Sequence, residues 1–144
     1  MRLLVAPDSF KGTFLAPEVA AALGAGIEEA GAEADLCPVA DGGEGTAAAL
    51  RAALGGEVLR APAHDPLGRP LEAELVLLAD GETAAVDTAA ASGLPLVDPD
   101  ERDAETASTR GTGELIAAAI EAGARRVLVA AGGSATTDGG AGAI

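Results

Sequence analysis

Arg2-Leu3-Leu4-Val5-Ala6-Pro7-Asp8-Ser9-Phe10-Lys11-Gly12-Thr13 decides the fold. Arg2 to Ala6 reads as a short buried strand, and the Ser/Gly/Thr segment after it has turn composition. Pro17-Glu18 then suits the first turn of a helix, where proline's missing N–H costs nothing and an acid complements the dipole. Val19, Leu23 and Ile27 follow at i, i+4 and i+8 as one apolar stripe, with Gly31 as the stop. Further out, Asp35 to Val39 reads as a second strand, Glu44 to Leu54 as a helix ended by Gly55-Gly56, and Glu57 to Ala61 as a third strand. Strand, helix, strand, helix, strand predicts a parallel sheet with right-handed crossovers, a Rossmann-like α/β part over residues 1–66.

The pattern changes at the turn-rich joint His64-Asp65-Pro66-Leu67-Gly68-Arg69-Pro70. Leu71, Ala73, Leu75 and Leu77 alternate with Glu72, Glu74 and Val76, and Asp80-Gly81 separates this run from Thr83 to Val86, which predicts a hairpin. Residues 67–144 therefore read as a second α/β domain with a mixed sheet. Ala89 to Leu94 suits a helical turn and Val97 to Glu105 an exposed acidic loop. A helix from about Thr112 to Ala122 stops at Gly123, and the strand Arg125 to Ala131 enters a Gly-rich turn running to Gly142. Such a turn normally feeds a helix that packs back on the sheet, so the expectation is that these 144 residues are the front part of a larger protein.

Composition narrows the partners. Apolar residues make up 49% and aromatics 1%, so the core must be built from alanine, leucine and valine. A net charge of −14 argues against duplex DNA or an anionic membrane, which need clustered cations. Cys37 and His64 are each alone, which excludes a disulfide framework, a cysteine metal cluster and paired-histidine zinc motifs; Cys37, in an apolar strand, is expected in the core. No signal peptide opens the chain and no apolar run spans a bilayer, so a cytoplasmic protein is expected.

Lys11 is the only lysine, a compact charge in a Ser/Gly/Thr turn and an anion hook in prospect. At ~4 Å and an effective dielectric near 20, one contact between such a charge and an anion is worth about 4 kcal/mol before desolvation. Its turn, Asp8 to Thr13, shares one arrangement with Asp41-Gly42-Gly43-Glu44-Gly45-Thr46 and with Gly132 to Gly142: an apolar strand, then small residues with acids and hydroxyls. In parallel α/β sheets ligands bind beyond the carboxyl ends of strands, where free N–H groups point outward. Glycine allows close approach to a phosphate, hydroxyls add donors, and carboxylates can hold magnesium. A lone turn of this kind is more often plain capping chemistry, but three that each bear acids and hydroxyls favour a binding role. None matches GxxxxGK[ST]. Arg110, in the turn opening the 112–122 helix, and Arg69, in the joint, are further anion candidates. Ser92 has only His64 as a candidate base, which makes a serine hydrolase a poor reading.

Asp8-Ser9-Phe10-Lys11-Gly12, Ala40-Asp41-Gly42-Gly43-Glu44-Gly45-Thr46, Gly111-Thr112-Gly113-Glu114-Leu115 and Gly132-Gly133-Ser134-Ala135-Thr136 with Asp138-Gly139-Gly140 together closely resemble the bacterial glycerate kinase family of type I. The motifs occur in that family's order and cover the chain from its first strand. The resemblance implies two α/β domains, one inserted in the other, with the active site in the cleft between them. It implies transfer of the ATP γ-phosphoryl group to a hydroxyl of D-glycerate, with magnesium, and leans toward 2-phosphoglycerate. Under it, Lys11, Asp41, Glu44 and Asp138 are the catalytic candidates, with Asp41 or Asp138 on magnesium. Asp8, Ser9, Gly12, Gly42, Gly43, Gly45, Thr46, Arg69, Arg110, Gly132, Gly133, Ser134 and Thr136 are the substrate- and nucleotide-binding candidates. Thr137 stands where the family usually has asparagine, Arg110 where an aromatic is common, and Asp87-Thr88 where Glu-Met is common. Family members are longer, so this length alone is expected to have little activity; a non-catalytic nucleotide- or anion-binding fragment is the alternative. The oligomeric state is left open.

Overall fold

The computed structural model describes residues 1–10 and 12–144, which form two compact bodies, 1–41 and 42–144. In the first body, β1 (Arg2–Val5) and β2 (Glu33–Leu36) pair in parallel, Arg2 opposite Glu33 and Val5 opposite Leu36. The crossover between them is α1 (Ala16–Glu29), with Pro17 in its first turn. Glu18 Oε2 accepts a hydrogen bond from the Leu15 N–H at 2.8 Å, satisfying a donor that the helix start leaves open. The helix buries Val19, Ala20 and Gly24, whereas Leu23 of the expected stripe stays half exposed. At Gly24 the helix lies close against Leu36 and Ala34 of β2. Cys37 is likewise exposed rather than core: β2 ends at Leu36, and Cys37 follows it with its N–H on the Val5 carbonyl (2.8 Å).

The second body holds a four-stranded sheet in the order β3 (Gly56–His64), β4 (Pro70–Leu78), β5 (Thr83–Asp87), β6 (Arg126–Ala130). The first two pairings are antiparallel and β5–β6 is parallel, so the sheet is mixed as expected. The partner of the 57–61 strand differs from expectation. It pairs along its whole length with β4, from Gly56 opposite Leu78 to His64 opposite Pro70, instead of extending the parallel sheet. The reason is local: Asp65 Oδ1 accepts the N–H groups of Leu67 (2.9 Å) and Arg69 (2.8 Å), closing a short turn that an antiparallel partner can use and a parallel one cannot. The Asp80-Gly81 hairpin is also present, with the Asp80 carboxylate accepting the N–H groups of Glu82 and Thr83 and the Thr83 hydroxyl.

Strand alternation gives the sheet two apolar faces. Ala47 and Leu50 of α2 (Thr46–Leu54) pack on Val76, Leu78 and Ala85. On the other face, α3 (Ala89–Ser92) and α4 (Arg110–Glu121) bring Ala91, Leu115 and Ala119 onto Ala61, Ala63, Ala73, Leu75, Ala84 and Val86. Leu75, Leu115 and Val86 are fully buried among alanines, the small-residue core that the composition requires.

Candidate functional site

β5 and β6 end side by side, and the Thr88 N–H continues the pairing onto the Ala130 carbonyl at 2.9 Å. The turns leaving the two strands are tied together: Leu94 N–H donates to the Gly133 carbonyl and Ala135 N–H to the Ser92 carbonyl, both at 2.9 Å. The turn that leads into α2 joins them through Gly132, whose N–H donates to the Gly42 carbonyl at 3.2 Å. A Cβ on Gly132 would lie 2.6 Å from the Gly43 Cα, so only glycine allows this approach of backbone to backbone. One built on Gly133 would stand 4.0 Å from the Glu44 Cβ, which places Glu44 beside the second turn.

Two sequence-distant Gly-rich turns, 42–46 and 132–136, therefore meet at the carboxyl ends of parallel strands. Within them Thr46 Oγ1 donates to the Gly43 carbonyl (2.7 Å), and the Ser134 and Thr136 hydroxyls are hydrogen-bonded to each other at 2.7 Å. Next to the turns lies an open cavity of about 310 Å³, lined by Glu44, Arg51, Glu74 and Asp87 over an apolar floor that includes Val58, Leu75 and Val76. A pocket with an apolar floor and a few convergent polar groups suits a small ligand. Asp87 also borders a smaller hollow of about 160 Å³ with Gly42, Thr46 and Leu128.

The α2 N-terminus, however, already holds an anion. Asp87 Oδ2 accepts the Gly45 N–H at 2.8 Å and Oδ1 accepts the Ala47 N–H at 2.9 Å. The start of α4 is filled in the same way. Asp138 Oδ2 takes the Thr109 N–H, the Thr109 hydroxyl and the Gly142 N–H, and Oδ1 takes the Gly140 N–H. The Thr109 backbone bond, with the other three donors, outweighs the opposing effect of burial and brings the Asp138 carboxyl down to about 2. So committed, Asp138 ties the 138–142 loop to α4, and its lone pairs have little left for a proton or a metal.

Arg110 and Arg69 are engaged too. Arg110 Nε donates to Glu114 at 3.0 Å, and Glu114 lies 2.9 Å from His64 Nδ1. Burial pushes the Glu114 carboxyl up, but the hydrogen bond with His64 and the neighbouring Arg110 guanidinium hold it below its ordinary value. Arg69 pairs with buried Asp65 and with Glu101 (2.8 Å) and donates to the Leu96 carbonyl (3.0 Å). Burial raises the Asp65 carboxyl, and the Arg69 N–H, its guanidinium and the Leu67 N–H outweigh that and lower it.

In the first body Asp8 Oδ1 accepts the Ser9 N–H (2.7 Å), Gly12 has φ +78° over open space, and Asp41 ends the body, exposed. Lys11 lies outside the described residues. Among the described residues no three His, Cys, Asp or Glu side chains converge on a metal position, and no helix is long and apolar enough to cross a membrane. The residue that the sequence reading missed is Asp87, noted there only as a substitution. Its signal is an acid at the carboxyl end of a strand, one residue before the run Ala89-Ala90-Ala91.

Comparison with known proteins agrees along the whole chain. The profile of the glycerate kinase family matches residues 3–144. A glycerate kinase of Bacillus subtilis (strain 168) is 48% identical and a glycerate 2-kinase of Escherichia coli (strain K12) 46% identical, each over 146 aligned positions and 100% of this chain. The crystal structure of a glycerate kinase 2 from Salmonella typhimurium LT2 superposes with a TM-score of 0.82 at 42% identity, covering 100% of this chain and 39% of that one. The chain spans 38% of the length of the two curated relatives. Motif order, the mixed α/β architecture and these matches lead to one conclusion: the chain belongs to the glycerate kinase family.

Proposed function

We propose that these residues are the N-terminal part of a cytoplasmic enzyme that transfers the γ-phosphoryl group of ATP to the 2-hydroxyl of D-glycerate, giving 2-phosphoglycerate and ADP. The observation that carries the reading is the family match across residues 3–144, joined to the meeting of the 42–46 and 132–136 turns beside Glu44. The 46%-identical relative named a glycerate 2-kinase supports the choice of hydroxyl. The insertion of one domain in the other is part of the same proposal.

Phosphoryl transfer depends on positioning and charge neutralisation more than on covalent chemistry. Glu44 lines the cavity and takes the proton of the attacking hydroxyl, whose oxygen forms the new P–O bond as the β,γ-bridging oxygen leaves with ADP. Lys11 neutralises a phosphate or the glycerate carboxylate. Gly133 and Ser134, whose N–H groups donate to no described residue, receive anionic oxygens. Asp8, Ser9, Gly12, Gly42, Gly43, Gly45 and Thr46 shape the two turns. Magnesium supplies charge neutralisation on the nucleotide and needs only one or two protein carboxylates beside the phosphates. Asp41 or Asp138 would hold the ion, and Asp138 would have to give up some of the four hydrogen bonds it accepts to do so.

A coupled ADP assay on the full-length protein with ATP, magnesium and D-glycerate tests the reading, with phosphorus NMR to identify the product. Formation of 2-phosphoglycerate is expected, and absence of glycerate-dependent ADP release would overturn it. A second reading rests on the chain spanning 38% of its relatives: at 144 residues it binds nucleotide without turnover. Calorimetry with ATP-magnesium and with glycerate on the 144-residue chain separates binding from none.

A further inference from the structure

We infer that Asp87 is a positioning residue, which holds the turn carrying Glu44 in place by gripping the start of α2 from the neighbouring strand. Helices are usually capped by a side chain at the N-cap itself. Here the N-cap is Gly45, at φ +90°, and it has no side chain to give. The missing acceptor comes from 40 residues away. Asp87 at the end of β5 uses one carboxylate oxygen for the Gly45 N–H and the other for the Ala47 N–H.

Two bonds from one planar charged group fix both distance and orientation. They span the peptide on either side of Thr46 and so set the direction in which the chain leaves Glu44. Asp87 is partly buried and rigidly placed, because β5 pairs with β4 on one side and β6 on the other. Glu44 and Asp87 line the same cavity, so the grip is applied beside the place where the proposed proton acceptor works. With the carboxylate seated on it, this helix end is closed to an external phosphate, which leaves the 132–136 turn to receive one. The inference rests on the glycerate kinase reading for its catalytic consequence and on the hydrogen bonds alone for its structural one.

The test uses Asp87→Ala, Asp87→Asn and Asp87→Glu in the full-length protein, with two readouts. Amide hydrogen exchange at Gly45 and Ala47 should quicken by about tenfold or more in Asp87→Ala, less in Asp87→Asn, which keeps one acceptor oxygen. In the kinase assay kcat should fall by about tenfold or more in Asp87→Ala while KM for ATP and for glycerate stays within about twofold, and Asp87→Glu should recover part of kcat because both oxygens are restored. Exchange unchanged in Asp87→Ala would overturn the inference, as would an unchanged kcat in an active enzyme. If the wild type transfers no phosphoryl group, the glycerate kinase reading fails separately. Exchange at Gly45 and Ala47 then decides alone: quickened exchange upholds the grip and unchanged exchange refutes it.

Discussion

Asp138 Oδ2 accepts hydrogen bonds from both the backbone N–H (2.9 Å) and the hydroxyl (2.8 Å) of Thr109, a residue 29 positions earlier. The carboxyl sits at about 2 in the folded chain against 3.8 for a free side chain. A depressed folded value means that the stabilisation is complete above about pH 4 and is lost as the pH falls through about 2. Asp138→Asn should therefore lower stability near neutral pH by on the order of 1 kcal/mol once solvent screening is allowed for, and the gap should shrink toward pH ~2. Urea unfolding at the two pH values checks this, and an equal gap at both would rule out the charge as its source.

Gly132 packs its backbone onto Gly43 with no room for a methyl group, since a Cβ would stand 2.6 Å from the Gly43 Cα. Gly132→Ala must push the two turns apart. A cost of about 1–3 kcal/mol is expected, a fall of several degrees in Tm for a chain of this size. Phosphoryl transfer should drop further than stability does. A Tm equal to wild type would mean that the turns have slack.

Arg69 joins Asp65, Glu101 and the Leu96 carbonyl, so its guanidinium works as a clasp between the β3–β4 turn and the loop at 96–101. Removing it leaves the buried Asp65 carboxylate without its cation. Arg69→Met should lower Tm, by less than breaking a fully buried pair would because the guanidinium is half exposed, with KM for ATP and glycerate nearly unchanged. A tenfold rise in KM at constant Tm would instead support the anion-binding role expected from its sequence position.

Lys11 carries the proposed charge neutralisation, and its turn has no packing duty visible in the sequence. Lys11→Ala in the full-length protein should cut turnover by about a hundredfold, the scale of one lost charge contact after desolvation, while Tm stays nearly constant. Unaltered turnover would remove Lys11 from the site.

Features written within a few residues were legible from the chain alone. Pro17, Gly31 and Gly123 mark helix ends, Asp80-Gly81 marks a hairpin, and the alternation through Leu71 to Leu77 marks β4, all of them local rules. Partner choice is not local, which is why the sequence pattern predicts a parallel partner for β3 and a buried strand around Cys37. The same limit applies to the candidate site. Its Gly-rich turns announce themselves by composition, but nothing near Gly45 or Thr109 in sequence says that Asp87 and Asp138 will supply their acceptors. The local partner of Arg69, Asp65, lies four residues away, but its other two, Leu96 and Glu101, lie 27 and 32 residues away and carry no local signal.

The β3–β4 hairpin is closed by a turn of a few residues, whereas β6 reaches β5 only after the whole of residues 88–125 has been traversed. Closing a local pairing costs less chain entropy than closing one across a long crossover. The 132–136 turn hangs on β6, so it can meet Glu44 only when that last strand has docked. Competence for a ligand then depends on the pairing of longest sequence separation in this sheet, and whatever undocks β6 removes it.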